Sequence, residues 1–124
     1  MYQTLGIERE DKERQTDQWA ANYRAFDTPV MLLFFMEDVM QAGSYIDYGM
    51  FLQSLMLAAL DQGLATCPQA SIAHYSEIIK AELTYSENMI LLCGMALGCE
   101  DEDALVNSYR TPREDVSSFI RYFK

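Results

Sequence analysis

The chain has 124 residues, 50% of them hydrophobic, and a formal net charge of -10. That length supports one domain with a modest core, and the hydrophobic content argues against wholesale disorder. The charge argues against nucleic acid or anionic membrane as a partner, because both select basic surfaces. Cys67, Cys93 and Cys99 have no CxxC spacing, so they suggest neither a disulfide framework nor a zinc site and suit a reducing cytosol. The start of the chain is polar and charged through Arg24, unlike a signal peptide. No apolar run reaches the roughly 20 residues of a membrane span. A soluble, cytoplasmic protein is expected.

Residues 8–24 are helix formers without Gly or Pro, which predicts a helix from about Glu8 to Arg24. Trp19 and Tyr23, four apart on one face, are expected to dock it onto the body. Asp27-Thr28-Pro29 ends it. Residues 30–36 (VMLLFFM) form a continuous apolar run of strand length and read as a strand buried on both faces. Residues 37–43 are a turn region, and Ser44 is placed to cap a helix running to about Gln62. Phe51, Leu55 and Ala58 share one side of that helix with Leu52 and Ala59, while Met50, Leu57 and Leu60 add apolar surface elsewhere. A helix apolar nearly all round must be covered on several sides, which points to a subunit interface. Gly63 is expected to stop it.

Residues 66–71 (TCPQAS) read as a tight loop of small and polar residues, suited to a flat ligand lying close to the backbone. A second helix should begin at Ser71 or Ala73 and run to about Glu82. Residues 83–88 are a polar connector. Residues 89–97 (MILLCGMAL) read as a second buried strand, in which Gly94 signals a close backbone approach. A polar loop over residues 98–113 contains the acidic run Glu100-Asp101-Glu102-Asp103, which reads as solvated. Residues 114–123 are expected to form a short terminal helix with Val116, Phe119, Ile120 and Phe123 on one face. The chain is therefore of the α+β class with few strands.

Few residues suggest chemistry by themselves. His74 is the only histidine, with no nucleophile, acid or companion ligand in register, and reads as an ordinary polar residue at a helix start. Cys67, before a proline and near a helix start, occupies a place where a thiol pKa can fall. Cys93 reads as a small core hydrophobe. Arg110 and Arg113 flank a turn before a helix whose N-terminus carries partial positive charge, a combination able to hold a phosphate. Arginines near acids such as Glu114 and Asp115 are also common on surfaces.

Several short segments carry more when taken together. They are Tyr2 with Leu5-Gly6-Ile7, Asn22-Tyr23, Pro29-Val30, Gly43-Ser44, Asp47-Tyr48-Gly49-Met50 and Thr66-Cys67-Pro68-Gln69-Ala70. Cys93-Gly94-Met95-Ala96-Leu97-Gly98, and Asn107 with Arg110-Thr111-Pro112-Arg113-Glu114, complete the series. In this order and spacing the chain resembles the C-terminal half of FMN-dependent nitroreductases, in the subgroup of the nitrobenzoate reductases. The resemblance implies an α+β homodimer, with helices packed around a small mixed sheet and a long central helix at the dimer interface. It implies FMN at that interface, its ring lying along Pro68, Gln69, Ala70 and Ser71, with a backbone N–H facing flavin N5. It also implies an FMN phosphate held by Arg113, with Arg110 beside it. The activity implied is NAD(P)H-dependent two-electron reduction of nitroaromatics, quinones or similar small aromatic acceptors. A flavin that carries the redox chemistry requires no catalytic side chain and no metal.

Two departures accompany the resemblance. Ala65 stands where family members usually carry a glycine, a mild change if φ there is negative. The basic, serine-containing N-terminal segment that binds FMN in the family has no counterpart. Residues 1–124 are therefore expected to be a single nitroreductase-like domain lacking the N-terminal half, a truncated or split product. The alternative is a non-catalytic dimerisation or remnant domain with weak or no flavin binding.

Overall fold

The computed structural model describes residue 2 and residues 4–123. These fall into two compact units. One spans Lys12–Glu100 and contains the sheet; the other gathers residues 1–11 and 101–124.

In the larger unit, α1 spans Lys12–Tyr23, starting four residues later than the sequence suggests. Residues 9 and 10 form a turn instead, because helix propensity without an apolar stripe does not hold a helix. Tyr23 packs edge-on against Tyr75, with ring centroids 5.1 Å apart, while Trp19, expected to dock the helix beside it, is 57% exposed. The helix ends at a corner where Ala25 (φ 53), Phe26 (φ 53) and Asp27 (φ 59) are all left-handed. Such backbone costs roughly 1–2 kcal/mol per non-glycine residue. Thr28 Oγ1 donates to Ala25 O at 2.9 Å and helps hold the corner. The exposed Arg24–Asp27 pair adds little.

Three strands follow: β1 (Val30–Glu37), β2 (Ala65–Gln69) and β3 (Met89–Gly98). Their order is β1-β3-β2 and both pairings are antiparallel, so the sheet is not the mixed one expected. Central β3 buries Leu91, Cys93, Met95 and Ala96 and accounts for its unbroken apolar run. β1 reads much like it but lies at an edge. Only Phe34 and Met36 are buried there, and Val30 is exposed, so the two-sided burial expected of β1 does not hold. A bulge between Phe34 and Phe35 interrupts its register. The register skips Leu92 of β3 there, and Tyr48 donates its hydroxyl to Phe35 O at 2.8 Å beside the irregularity.

The segment read as a loop is strand β2. Pro68, which argues against a central strand, is tolerated because β2 is also an edge. Ala65 opens β2 without a positive φ, so the glycine-to-alanine departure is mild.

Between β1 and β2 runs α2, Ala42–Asp61. Gln41 is its N-cap residue, without a side-chain cap; Ser44 lies inside the first turn and is not the cap expected. At the other end Gly63 (φ +73) donates to Leu60 O at 3.0 Å and Leu64 donates to Ala59 O at 2.9 Å. This paired closure satisfies two terminal carbonyls and requires the left-handed glycine. Tyr48, Leu52, Leu55 and Met56 pack on Phe34, Cys93 and Met95 to form the core. Ile46, Met50, Leu57 and Leu60 share the opposite side of the helix and are 57–69% exposed.

After β2 the chain makes a 3-10 turn over Ala70–Tyr75 and then α3, Ser76–Glu82, where one helix was expected. Gly94 in β3 marks the close approach: a Cβ there would stand 2.9 Å from Ile72 Cγ1 and 3.0 Å from Met31 Sδ.

In the smaller unit a 3-10 turn covers Leu105–Ser108, and α4 is only Val116–Phe119. The terminal helix expected over residues 114–123 is thus a single turn. Val116, Phe119, Ile120 and Phe123 are all exposed and bury no common face.

Candidate functional site

The segment Pro68 to Ser71 straddles the end of β2 and the start of the following turn. Gln69 is 3% exposed, while Pro68 and Ala70 on either side of it are exposed. The Gln69 side chain points into the protein, where Nε2 donates to Asn22 O at 2.6 Å. Gln69 Oε1 and Ser71 Oγ are buried without a hydrogen-bond partner among the described residues. What this segment offers to a ligand outside is backbone and small side chains. Among the described residues β2 has no strand on its outer side, and an edge strand leaves backbone N–H and C=O groups available. A planar group can lie against such an edge without displacing bulky side chains.

Arg110 and Arg113 belong to the smaller unit. Arg113 Nη1 donates to Thr111 O at 3.0 Å and to Thr111 Oγ1 at 2.6 Å. Arg110 Nη1 donates to Asn107 O and, at 3.3 Å, to Tyr109 O. Both side chains are held by neutral oxygens of their own loop. Among the described residues neither arginine is paired with a carboxylate, so both charges remain available to an anion. The helix-start contribution expected for this pair is lost, because the four residues of α4 align too few peptide dipoles. The structure thus groups Pro68, Gln69, Ala70 and Ser71 on one segment, and Arg110 with Arg113 on one loop of the other unit.

Cys67 is a strand residue and does not stand at a helix start. Burial pushes its thiol pKa up from the ordinary 9.0, the reverse of the fall its sequence position suggested. A raised pKa depletes the thiolate that nucleophilic chemistry needs. His74 is exposed in the 3-10 turn. Among the described residues no group of three or more His, Cys, Asp or Glu could hold a metal ion.

Two features escaped the sequence reading. Asn22 as the partner of Gln69 is 47 positions away, a separation no local pattern reveals. A shallow groove of about 390 Å³ lies between the end of β1 and the start of α2, lined by Met36, Met40, Ser44, Asp47, Tyr48 and Phe51. None of the candidate ligand residues lines it.

Fold and segment together define a small antiparallel α+β unit with an open, small-residue sheet edge. Residues 3–99 match the nitroreductase family, and the chain belongs to that family. It is 44% identical over 101 residues to a 4-nitrobenzoate reductase of Pseudomonas putida, covering 82% of this chain and 44% of that protein. It is 34% identical over 122 residues to the nitroreductase NfnB of Mycolicibacterium smegmatis, covering 98% of this chain and 52% of that one. Among solved structures, the FMN- and NADPH-dependent nitroreductase NfnB of Sphigopyxis sp. strain HMH superposes with a TM-score of 0.95 at 40% identity. That match covers 99% of this chain and 55% of the other. The chain thus spans about half the length of the relatives it matches.

Proposed function

We propose that residues 1–124 act as one nitroreductase-type domain that binds FMN, as the NfnB proteins of known structure do. When bound, FMN supplies the hydride chemistry, in which NAD(P)H is the donor and nitroaromatics, quinones or similar small aromatics are the acceptors. The observation that carries this reading is the exposure of Pro68 and Ala70, where an edge strand ends and the next turn begins, with the long side chain of Gln69 between them turned inward. These residues line the ring through their backbone. Arg113, with Arg110, holds the phosphate by charge-assisted hydrogen bonds, trading its present neutral carbonyl and hydroxyl partners for an anion. No side chain is assigned as acid, base or nucleophile.

The exposed stripe Ile46, Met50, Leu57 and Leu60 supports a homodimer centred on α2. It equally favours a second reading, a dimerisation domain with weak or no flavin binding, since covering that stripe requires no cofactor. The free thiols suit a cytoplasmic location. No described helix is long and apolar enough to cross a membrane. Titration of FMN into the purified chain, followed by quenching of flavin fluorescence, tests the proposal. Saturable quenching supports the flavoprotein, and a dimer without quenching supports the second reading.

A further inference from the structure

We infer that Gln69 is a positioning residue, which fixes the direction in which the Pro68-to-Ser71 backbone faces outward. The inference rests on the flavin reading above and adds to it how the segment is held. Three observations converge on one junction. The Gln69 amide donates to Asn22 O, in the last turn of α1, where helix carbonyls lack partners along the helix. Directly after that turn come the three left-handed residues Ala25, Phe26 and Asp27, backbone that persists only where its surroundings hold it. Tyr23 and Tyr75 join the same two segments a second time, edge to face.

Gln69 is thus drawn inward at the one residue between exposed Pro68 and exposed Ala70. The amide orientation follows from the bond, because only the –NH₂ end can donate to a carbonyl. Without this bond the strand end keeps its pairing with Gly94 but loses its tie to the end of α1, and the outward backbone groups are held less firmly in their common direction.

The test compares wild type with Gln69→Met, which keeps the length and removes the donor, and with Gln69→Glu. Amide hydrogen exchange is measured on the flavin-free chain, and FMN affinity by fluorescence quenching. In Gln69→Met, exchange should rise about tenfold at residues 70–72 and 22–28 while β1 and β3 stay protected. FMN should bind about tenfold more weakly, with an altered visible circular dichroism of the bound flavin. In Gln69→Glu the same losses should appear at neutral pH, where the carboxylate cannot donate. Protection relative to wild type should return on acidification, when a protonated carboxyl can donate to Asn22 O. If Gln69→Met does not fold, the acid recovery of Gln69→Glu decides. Unchanged local exchange, or a rise spread evenly over β1 and β3, overturns the positioning role. A wild type that takes up no FMN overturns the flavin reading instead, and local exchange then still reports whether the clamp exists.

Discussion

Gly94→Ala is the sharpest test of how β3 carries the ligand segment. The new Cβ would stand 2.9 Å from Ile72 Cγ1, 3.3 Å from Ile72 Cβ and 3.0 Å from Met31 Sδ. Carbon atoms rest at about 3.5–4.0 Å, so the nearest contact is short by roughly 0.6–1.1 Å. Met31 has a flexible side chain and can move aside. The Ile72 side chain is 5% exposed and has no room to swing, so relief has to come from its backbone, in the turn immediately after β2. Overpacking of this kind costs about 1–3 kcal/mol, which lowers Tm by roughly 3–15 °C for a chain of this size. Because the yielding element is the Ala70–Tyr75 turn, the ligand segment moves with it, and FMN affinity should fall too. Ile72→Ala removes the clashing atom at the expense of a cavity, by itself about 2–5 kcal/mol. In the double variant the added methyl occupies part of that space, so the two losses should sum to less than additivity by at least about 0.5 kcal/mol. Thermal and urea unfolding of the four proteins measure this. A Gly94→Ala protein with unchanged Tm, or strict additivity in the cycle, would refute the close approach.

Three further outcomes are expected. Ala70→Trp should abolish FMN quenching by covering the exposed edge of β2, with the fold retained by far-UV circular dichroism, whereas Cys67→Ser should change affinity less than twofold; loss of activity with FMN still bound in Cys67→Ser would restore a role for the thiol. Leu57→Glu, on the exposed stripe of α2, should convert a dimer into a monomer at micromolar concentration in sedimentation, and a wild type already monomeric there counts against the interface. Burial raises the pKa of Cys93 above 9.0 and of Tyr48 above 10.0. The folded state therefore holds these protons more tightly, so their contribution is complete below pH 9.0, declines as pH rises through the folded pKa values, and should depress Tm at alkaline pH. A Tm that climbs between pH 9 and 11 would contradict that sign.

Sequence pattern revealed the elements governed by local rules. The apolar run of β3, the glycine stop of α2 and the tight contact at Gly94 were each legible from composition and position. The errors came where long-range pairing overrides local signals. Thr66-Cys67-Pro68-Gln69 has the composition of a loop, and only its pairing with β3 makes it a strand. β1 and β3 look alike as strings, yet one is an edge and the other central, which no single segment encodes. The helix expected at the end of the chain had an apolar stripe that stays exposed, and only one turn forms. In the candidate site, the small residues around position 70 were legible, while the inward turn of Gln69 depends on a carbonyl 47 residues distant.

The most direct test of the account is a fluorescence-quenching titration of FMN with wild type and Arg113→Ala, at equal protein concentration and fixed salt. A charge-assisted hydrogen bond to phosphate is worth roughly 1.5–3 kcal/mol. The account therefore predicts saturable binding by wild type and binding about ten to a hundred times weaker by Arg113→Ala. Equal affinities would remove Arg113 from the site, and a wild type that never quenches flavin would contradict the flavoprotein reading itself.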